Sequence, residues 1–294
     1  MFPVRKTSVG FLAVAAAVVL AFGWLAWRLV APPQGTKTFP AKALPAVLPE
    51  PTSSASLRYL RVPILVYHSI APYRPEMTPL VRRYTVPPES LEEQFRYLHQ
   101  NGYTVIPFGS LVDAMTSAGA PLPAKPVVLT FDDGWEDLYR EAFPLLLKYN
   151  DTATFFVFTN GIGAKDFMTW PQLAAMQAAG MDIESHSISH PYLSAITDKA
   201  DLWKEIEGSR EIIASHLGRE PDIFAYPFGS YNELEIAMLK AAGYRAARAD
   251  PGSTLPAGAG FAATATDELY KLPGLQVTED FARFVSDLKA HESE

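Results

Sequence analysis

The chain has no cysteine among its 294 residues. That absence removes disulfides, thiolate nucleophiles and cysteine-ligated zinc, and it leaves His, Asp and Glu as the metal ligands on offer. Long runs of one charge are missing too. The 32 acidic and 25 basic residues are interspersed, for a formal charge of -7, so nothing suggests a nucleic-acid groove or an acidic polymer partner. No glycine-rich phosphate loop and no Gly-x-Ser-x-Gly elbow occurs, which leaves phosphoryl transfer and serine-hydrolase chemistry without support. What is plentiful is apolar sequence, 48% of the chain, enough for a substantial core.

Charge is absent altogether from Val9 to Trp27, a run of 19 residues bracketed by Arg5 and Lys6 before it and Arg28 after it. That is close to the ~20 residues needed to cross a bilayer. The pattern predicts an uncleaved, single-pass transmembrane signal anchor over residues 1–30. Arg5 and Lys6 would stay cytoplasmic and Trp24 and Trp27 would sit at the opposite interface, placing the rest of the chain outside the cytoplasmic (inner) membrane. A cleaved leader is the alternative, although its apolar core is usually only about 7 to 15 residues long. Residues 31–57 follow, with prolines at 32, 33, 40, 45, 49 and 51 and no apolar period, and read as a semi-rigid tether. Residues 58–294 show no internal repeat and no second linker, so one folded domain is expected.

Within it, short apolar runs alternate with amphipathic segments. Strands are expected at 62–67, 103–106, 127–131, 153–158, 181–185, 222–226, 244–248 and 271–277, and helices at 89–100, 108–118, 136–148, 171–179, 199–217, 232–242 and 280–290. Gly102, Gly119, Gly180, Gly218 and Gly243 stand just past five of those helices, where a left-handed cap calls for glycine. The alternation calls for a parallel sheet, and runs such as "PVVLTF" and "ATFFVF" are apolar on both faces, as doubly covered strands must be. The expected fold is α/β, a distorted (β/α) barrel of seven or eight strands, with chemistry at the C-terminal ends of the strands.

Polar residues fall at those ends. His68 follows the first strand, Asp132 and Asp133 close the third, His186 follows the fifth, Tyr226-Pro227-Phe228-Gly229 closes the sixth, and Asp250 comes after the seventh. In "HSISH", His186 and His190 are four apart, and Pro191 disfavours a helix there, so a turn could bring both imidazoles to one point. Two histidines and one carboxylate describe an open, catalytic divalent site. With Asp133 as the ligand, a cation would offset the cost of a carboxylate at a crowded mouth. Asp132, pointing elsewhere, would be left to take a proton from the attacking water. Asp-Gly is also a common turn dipeptide, and spaced histidines are often surface residues, so neither motif alone decides the matter. Contiguous carboxylates do not suit a glycosidase pair, which stands about 5 Å or more apart.

Taken together and in this order, "TFDDG", "HSISHP" and "AYPFG" resemble the polysaccharide deacetylases of carbohydrate esterase family 4. The resemblance implies a distorted β/α barrel that removes N-acetyl groups from a glycan with a divalent metal, usually zinc. It implies Asp132 as base, Asp133, His186 and His190 as metal ligands, and Tyr226, Pro227, Phe228 and Gly229 as a groove wall whose Phe228 N–H helps hold the oxyanion. Two departures stand out. Many members carry Arg at the position of Ala225, where it orients the base, so that support is expected to be missing; and His291 is a poor match to the C-terminal histidine that serves many members as acid. With "VPILVYHSI", these departures resemble the subgroup that deacetylates poly-β-1,6-N-acetylglucosamine of biofilm matrices, which implies His68 as the acid. The aromatics Tyr67, Tyr73, Trp135 and Tyr226 are candidates for stacking on sugar, and Asp250 for orienting His68. The alternatives are a peptidoglycan or chitin-like deacetylase, or a non-catalytic glycan-binding barrel of the cell envelope.

Overall fold

Eleven strands are found in the computed structural model, which describes residues 43–48, 60–116, 121–249 and 266–292. They are β1 (Ile64–Tyr67), β2 (Ser69–Ile70), β3 (Thr85–Val86), β4 (Thr104–Val105), β5 (Pro126–Asp133), β6 (Thr154–Val157), β7 (Asp182–Ser185), β8 (Ile223–Ala225), β9 (Ala246–Ala249), β10 (Leu272–Pro273) and β11 (Leu275–Gln276). The expected anchor, nearly all of the tether, Gly119 and Asp250 lie outside the described residues. Among those described, no helix is long and apolar enough to cross a membrane.

The main sheet runs β10-β9-β8-β7-β6-β5-β1-β11, with β4 added beside β5, and its pairings are parallel. Its first and last strands are consecutive in the chain. One short segment pairs with β9 through Leu272 and Pro273 and, after Gly274, with β1 through Leu275 and Gln276. The sheet is thereby drawn into a barrel, and the C-terminal ends of its strands share one mouth. Alternate strand residues feed two cores, as a period of two requires. Val128 and Phe156 enter one; Leu129, Phe131 and Phe155 enter the other.

Each of the eight expected strands has its counterpart, and the helices follow the expected order with local departures. Leu138–Ala142 is a π segment before the helix Phe143–Tyr149; Pro144 has no amide hydrogen to continue the ordinary ladder there. The long helix expected at 199–217 is three pieces, with a π segment at Lys204–Gly208. The helix Pro79–Arg83 and the two-residue pair β2–β3 were not expected, because elements this short carry no readable period.

Gly274 lies between the two pairings of the closure, where there is no room for a side chain. A Cβ at this position would overlap Val66 Cγ2 and stand 3.2 Å from Arg248 Cδ. The Gly274→Ala variant should therefore lose about 1–3 kcal/mol of stability from overpacking, seen as a lower urea midpoint by far-UV circular dichroism. A wild-type midpoint would show that the closure tolerates a side chain.

Candidate active site

The barrel mouth gathers residues from four strand ends. β5 ends in Asp132 and Asp133, and the chain turns at once: Asp133 has φ 73° and Gly134 φ 86°. Gly134 must be small as well as left-handed, since a Cβ would stand 3.1 Å from Ile162 Cδ1 and 3.2 Å from Val157 Cγ1. Beyond β7, Ser187 (φ 73°) and His190 (φ 58°) are left-handed too, and so is Phe228 (φ 58°) after β8. Non-glycine residues cost of order 1–3 kcal/mol each in such conformations, so a site held by four of them is strongly specified by its surroundings.

Asp133, His186 and His190 come together. His190 Nε2 lies 3.3 Å from Asp133 Oδ1 and 3.2 Å from His186 Nε2, and His186 Nε2 lies 3.8 Å from Asp133 Oδ1. Their ligand atoms all fall within 4.8 Å of one another. Buried His186 places Nδ1 2.7 Å from the carbonyl oxygen of Ala225, which fixes Nδ1 as the donor and leaves the Nε2 lone pair facing the cluster. Trp135 Nε1 donates to the other oxygen of Asp133 at 3.0 Å. Burial disfavours the ionised Asp133, yet His190, His68, His186 and the Trp135 N–H outweigh it and hold its pKa below the ordinary value. Two imidazole nitrogens and an anionic oxygen converging in this way could hold a divalent cation.

Asp132 is only 2% exposed and is not part of that cluster. Its Oδ2 accepts a hydrogen bond from Arg248 Nη2, while His68 Nε2 stands 3.8 Å from the same oxygen. Arg248 corrects the expectation that the base lacks a supporting arginine. Ala225 and Arg248 are register partners on β8 and β9, so the guanidinium arrives from the strand beside the one where the resemblance would place it. The sequence did offer a signal, a lone arginine at the end of the otherwise apolar strand "AARA", since arginine is rarely buried without a partner.

His68 packs against Tyr84, with ring centroids 4.8 Å apart. Its Nδ1 meets no partner among the described residues. The segment after it is tied to the loop after β5, where Asp137 accepts from Ser69 Oγ at 2.6 Å and from the Ile70 amide at 3.2 Å. Burial pushes the Asp137 carboxyl up to about 6, with those two hydrogen bonds pulling it back down.

Two of the four aromatic expectations need correction. Tyr67 and Tyr226 are core residues, 0% and 1% exposed, and neither can stack on a sugar; Tyr67 lies on Phe131 and Tyr226 on Tyr231. Pro227 is buried with them. Trp135 stacks on Phe167, and Tyr73 donates to the Thr85 carbonyl. The exposed pair is instead Tyr192 and Phe228, stacked 4.0 Å apart, with Phe228 edge-on to His190 at 4.6 Å. Sequence reasoning passed over Tyr192. In the turn from Tyr226 to Ser230, hydrogen bonds run from the amides of Gly229 and Ser230.

Two changes test this geometry. Arg248→Met would strand Asp132 without its counter-charge and should cost about 3–5 kcal/mol in urea unfolding; a cost below 1 kcal/mol would remove the pair from the barrel's supports. Burial, and after it the neighbouring His190, pushes His186 down from 6.5 to about 4. The unfolded chain then takes up this proton as pH falls through 6.5, before the folded chain does. Metal-free stability should therefore be complete above pH 6.5 and fall by about 3 kcal/mol toward pH 4. That share of the acid loss should be absent in His186→Asn.

The sequence profile of the polysaccharide deacetylases matches residues 119–247, which takes in Asp132, the three clustered residues and the turn at Phe228 and leaves His68 and Arg248 outside. A Bacillus subtilis protein provisionally named a polysaccharide deacetylase is 32% identical over 185 residues, covering 63% of this chain and 63% of its own. An Escherichia coli protein named poly-β-1,6-N-acetyl-D-glucosamine N-deacetylase is 26% identical over 53% of this chain and 29% of its own. The match thus spans less than two thirds of the length of each. Among solved structures, a Streptococcus pyogenes deacetylase in complex with acetate is 26% identical and superimposes with a TM-score of 0.66, over 77% of this chain and 97% of that one.

Proposed function

We propose that this chain, which carries a polysaccharide deacetylase domain at residues 119–247, hydrolyses N-acetyl groups from an N-acetylglucosamine polysaccharide, poly-β-1,6-N-acetylglucosamine before others. The observation that carries the reading is the division of labour at the end of β5. Asp133 joins two histidines, while its neighbour Asp132 stays out of that cluster and is held by Arg248. A glycan-binding barrel has no need for a second, separately supported carboxylate.

Asp133, His186 and His190 would hold a divalent cation, zinc by our reading. When bound, such a cation supplies Lewis acidity to the acetamide oxygen and acidifies water. Asp132 takes the proton of the attacking water as its oxygen bonds to the carbonyl carbon. The Phe228 N–H meets the negative charge that develops on the carbonyl oxygen. His68 then delivers a proton to the nitrogen as the carbon–nitrogen bond breaks, leaving acetate and a free amine on the glycan. The exposed Tyr192–Phe228 stack is the surface that suits the apolar face of a sugar ring. The uncharged Val9–Trp27 run supports a place for this chemistry outside the cytoplasmic membrane. The preference for a β-1,6 linkage rests on the name of the Escherichia coli relative and on the early histidine at position 68.

The test is acetate release from β-1,6 and β-1,4 N-acetylglucosamine oligomers, with and without chelator. We expect chelator-sensitive release, faster on the β-1,6 series. Asp132→Asn should keep its bound metal on elemental analysis and lose about 100-fold or more in rate. Faster release from the β-1,4 series would favour peptidoglycan or chitin-like substrates, and no release from either, with binding retained, would favour a glycan-binding barrel.

A further inference from the structure

Both histidines of the cluster sit on one strained turn, and the group that holds this turn comes from a different element. His186 and His190 bracket Ser187, Ile188 and Ser189, with left-handed backbone at Ser187 and at His190 itself. Inside the turn, Ser187 Oγ accepts from the His190 amide at 3.0 Å. Outside it, Glu205 takes three hydrogen bonds. Its Oε2 accepts from the amides of Ile188 and Ser189, each at 2.9 Å, and its Oε1 accepts from Ser189 Oγ at 2.7 Å. Among the described residues Glu205 makes no ion pair, and each hydrogen bond it accepts comes from this turn.

Glu205 lies in the π segment Lys204–Gly208, between the helices Lys199–Trp203 and Ser209–Leu217. Such single-turn bulges insert one residue and re-aim the side chains that follow. Glu205 and Gly208, three positions apart in this segment, both face the same loop. A Cβ on Gly208 would come within 2.9 Å of Ile188 Cδ1, so the glycine makes room for the turn's buried apolar side chain while the carboxylate fixes its backbone. Two adjacent amide donors on one carboxylate oxygen also set the turn's direction, which a single hydrogen bond would not.

Building on the assignment of Asp133, His186 and His190 as cation ligands, we infer that Glu205 is a positioning residue. Its carboxylate holds the Ser187–His190 turn in its strained form and so keeps His190 Nε2 within ligating range of His186 and Asp133. Partners at one remove from ligands commonly change metal affinity by about 10–100-fold when removed. The turn's own hydrogen bond, Ser187 Oγ to the His190 amide, does not reach Ile188 or Ser189. Without Glu205 those two amides are left to solvent and the left-handed residues lose their restraint.

The experiment titrates the metal-free full chain with zinc, and with Co(II), whose visible absorption reports the geometry of its ligands. Urea midpoints are measured on the same samples. Glu205→Ala should bind zinc about 10–100-fold more weakly and shift the saturated Co(II) spectrum. Glu205→Gln, which keeps one acceptor oxygen but turns an amide donor toward the turn, should fall between it and the wild type; it also carries the test if the alanine variant does not fold. Leu146→Ala, a cavity in the helix Phe143–Tyr149 far from the turn in sequence, should lower the urea midpoint and leave zinc affinity unchanged. Wild-type affinity in both Glu205 variants would overturn the positioning role while leaving the ligand assignment in place. Equal losses in Leu146→Ala and Glu205→Ala would also overturn it, as a global effect. A wild-type chain that takes up no zinc would remove the ligand assignment, and this inference with it.

Discussion

A carboxylate as deeply buried as Asp132 needs a counter-charge, and Arg248 supplies it from a strand that is not its neighbour. β5 and β9 are separated by β6, β7 and β8 along the sheet. On a flat sheet, four steps of about 4.8 Å would set them about 19 Å apart, beyond the reach of an arginine side chain. The contact exists because the sheet curls, and the curl is completed where the segment around Gly274 joins β9 to β1. Gly274 also borders Arg248 Cδ and Nη1, so closure and ion pair share the same space. Burial of the pair and curvature of the barrel are one constraint seen from two sides.

The same curl explains why the mouth can be polar while the strands are not. Val128, Thr130 and Asp132 share one face of β5, yet only the last has a charged partner, because Arg248 enters near the top of the barrel. Left-handed backbone at Asp133, Ser187, His190 and Phe228 then re-aims four side chains within a few residues of their strands. A regular strand exit would have sent Asp133 onward with the chain; the turn at Asp133 and Gly134 instead directs its carboxylate to the histidines. The separate surroundings of the two aspartates thus rest on backbone geometry as much as on residue type.

The fold class was legible in the sequence because a parallel barrel leaves a local record. Strands covered on both faces must be apolar throughout, and helices that return to the sheet end in glycine; four of the five flagged glycines, at 102, 180, 218 and 243, do have positive φ. The convergence of Asp133, His186 and His190 was anticipated for a similar reason: Asp133 closes β5, His186 follows β7 and His190 lies four residues on in the same turn, and parallel strands put their ends together. The aromatics misled for the opposite reason. Tyr67 and Tyr226 also flank strand ends, but whether a ring at such a position faces solvent or core depends on the layer packed over it, and those layers buried both while leaving Tyr192 exposed.

By itself, then, the chain's composition and order determined which groups are available and at which end of the sheet they emerge, since strand and helix periods and motif spacing are properties of neighbouring residues. Tertiary structure alone decided that Arg248 would serve Asp132, that Glu205 would grip the histidine turn, and that Tyr226 would be core. The first two contacts join residues 116 and 17 positions apart, and Tyr226 is buried by the layer packed over the end of β8. No local period encodes such relations; they arise when the sheet closes and elements distant along the chain compete for the same space.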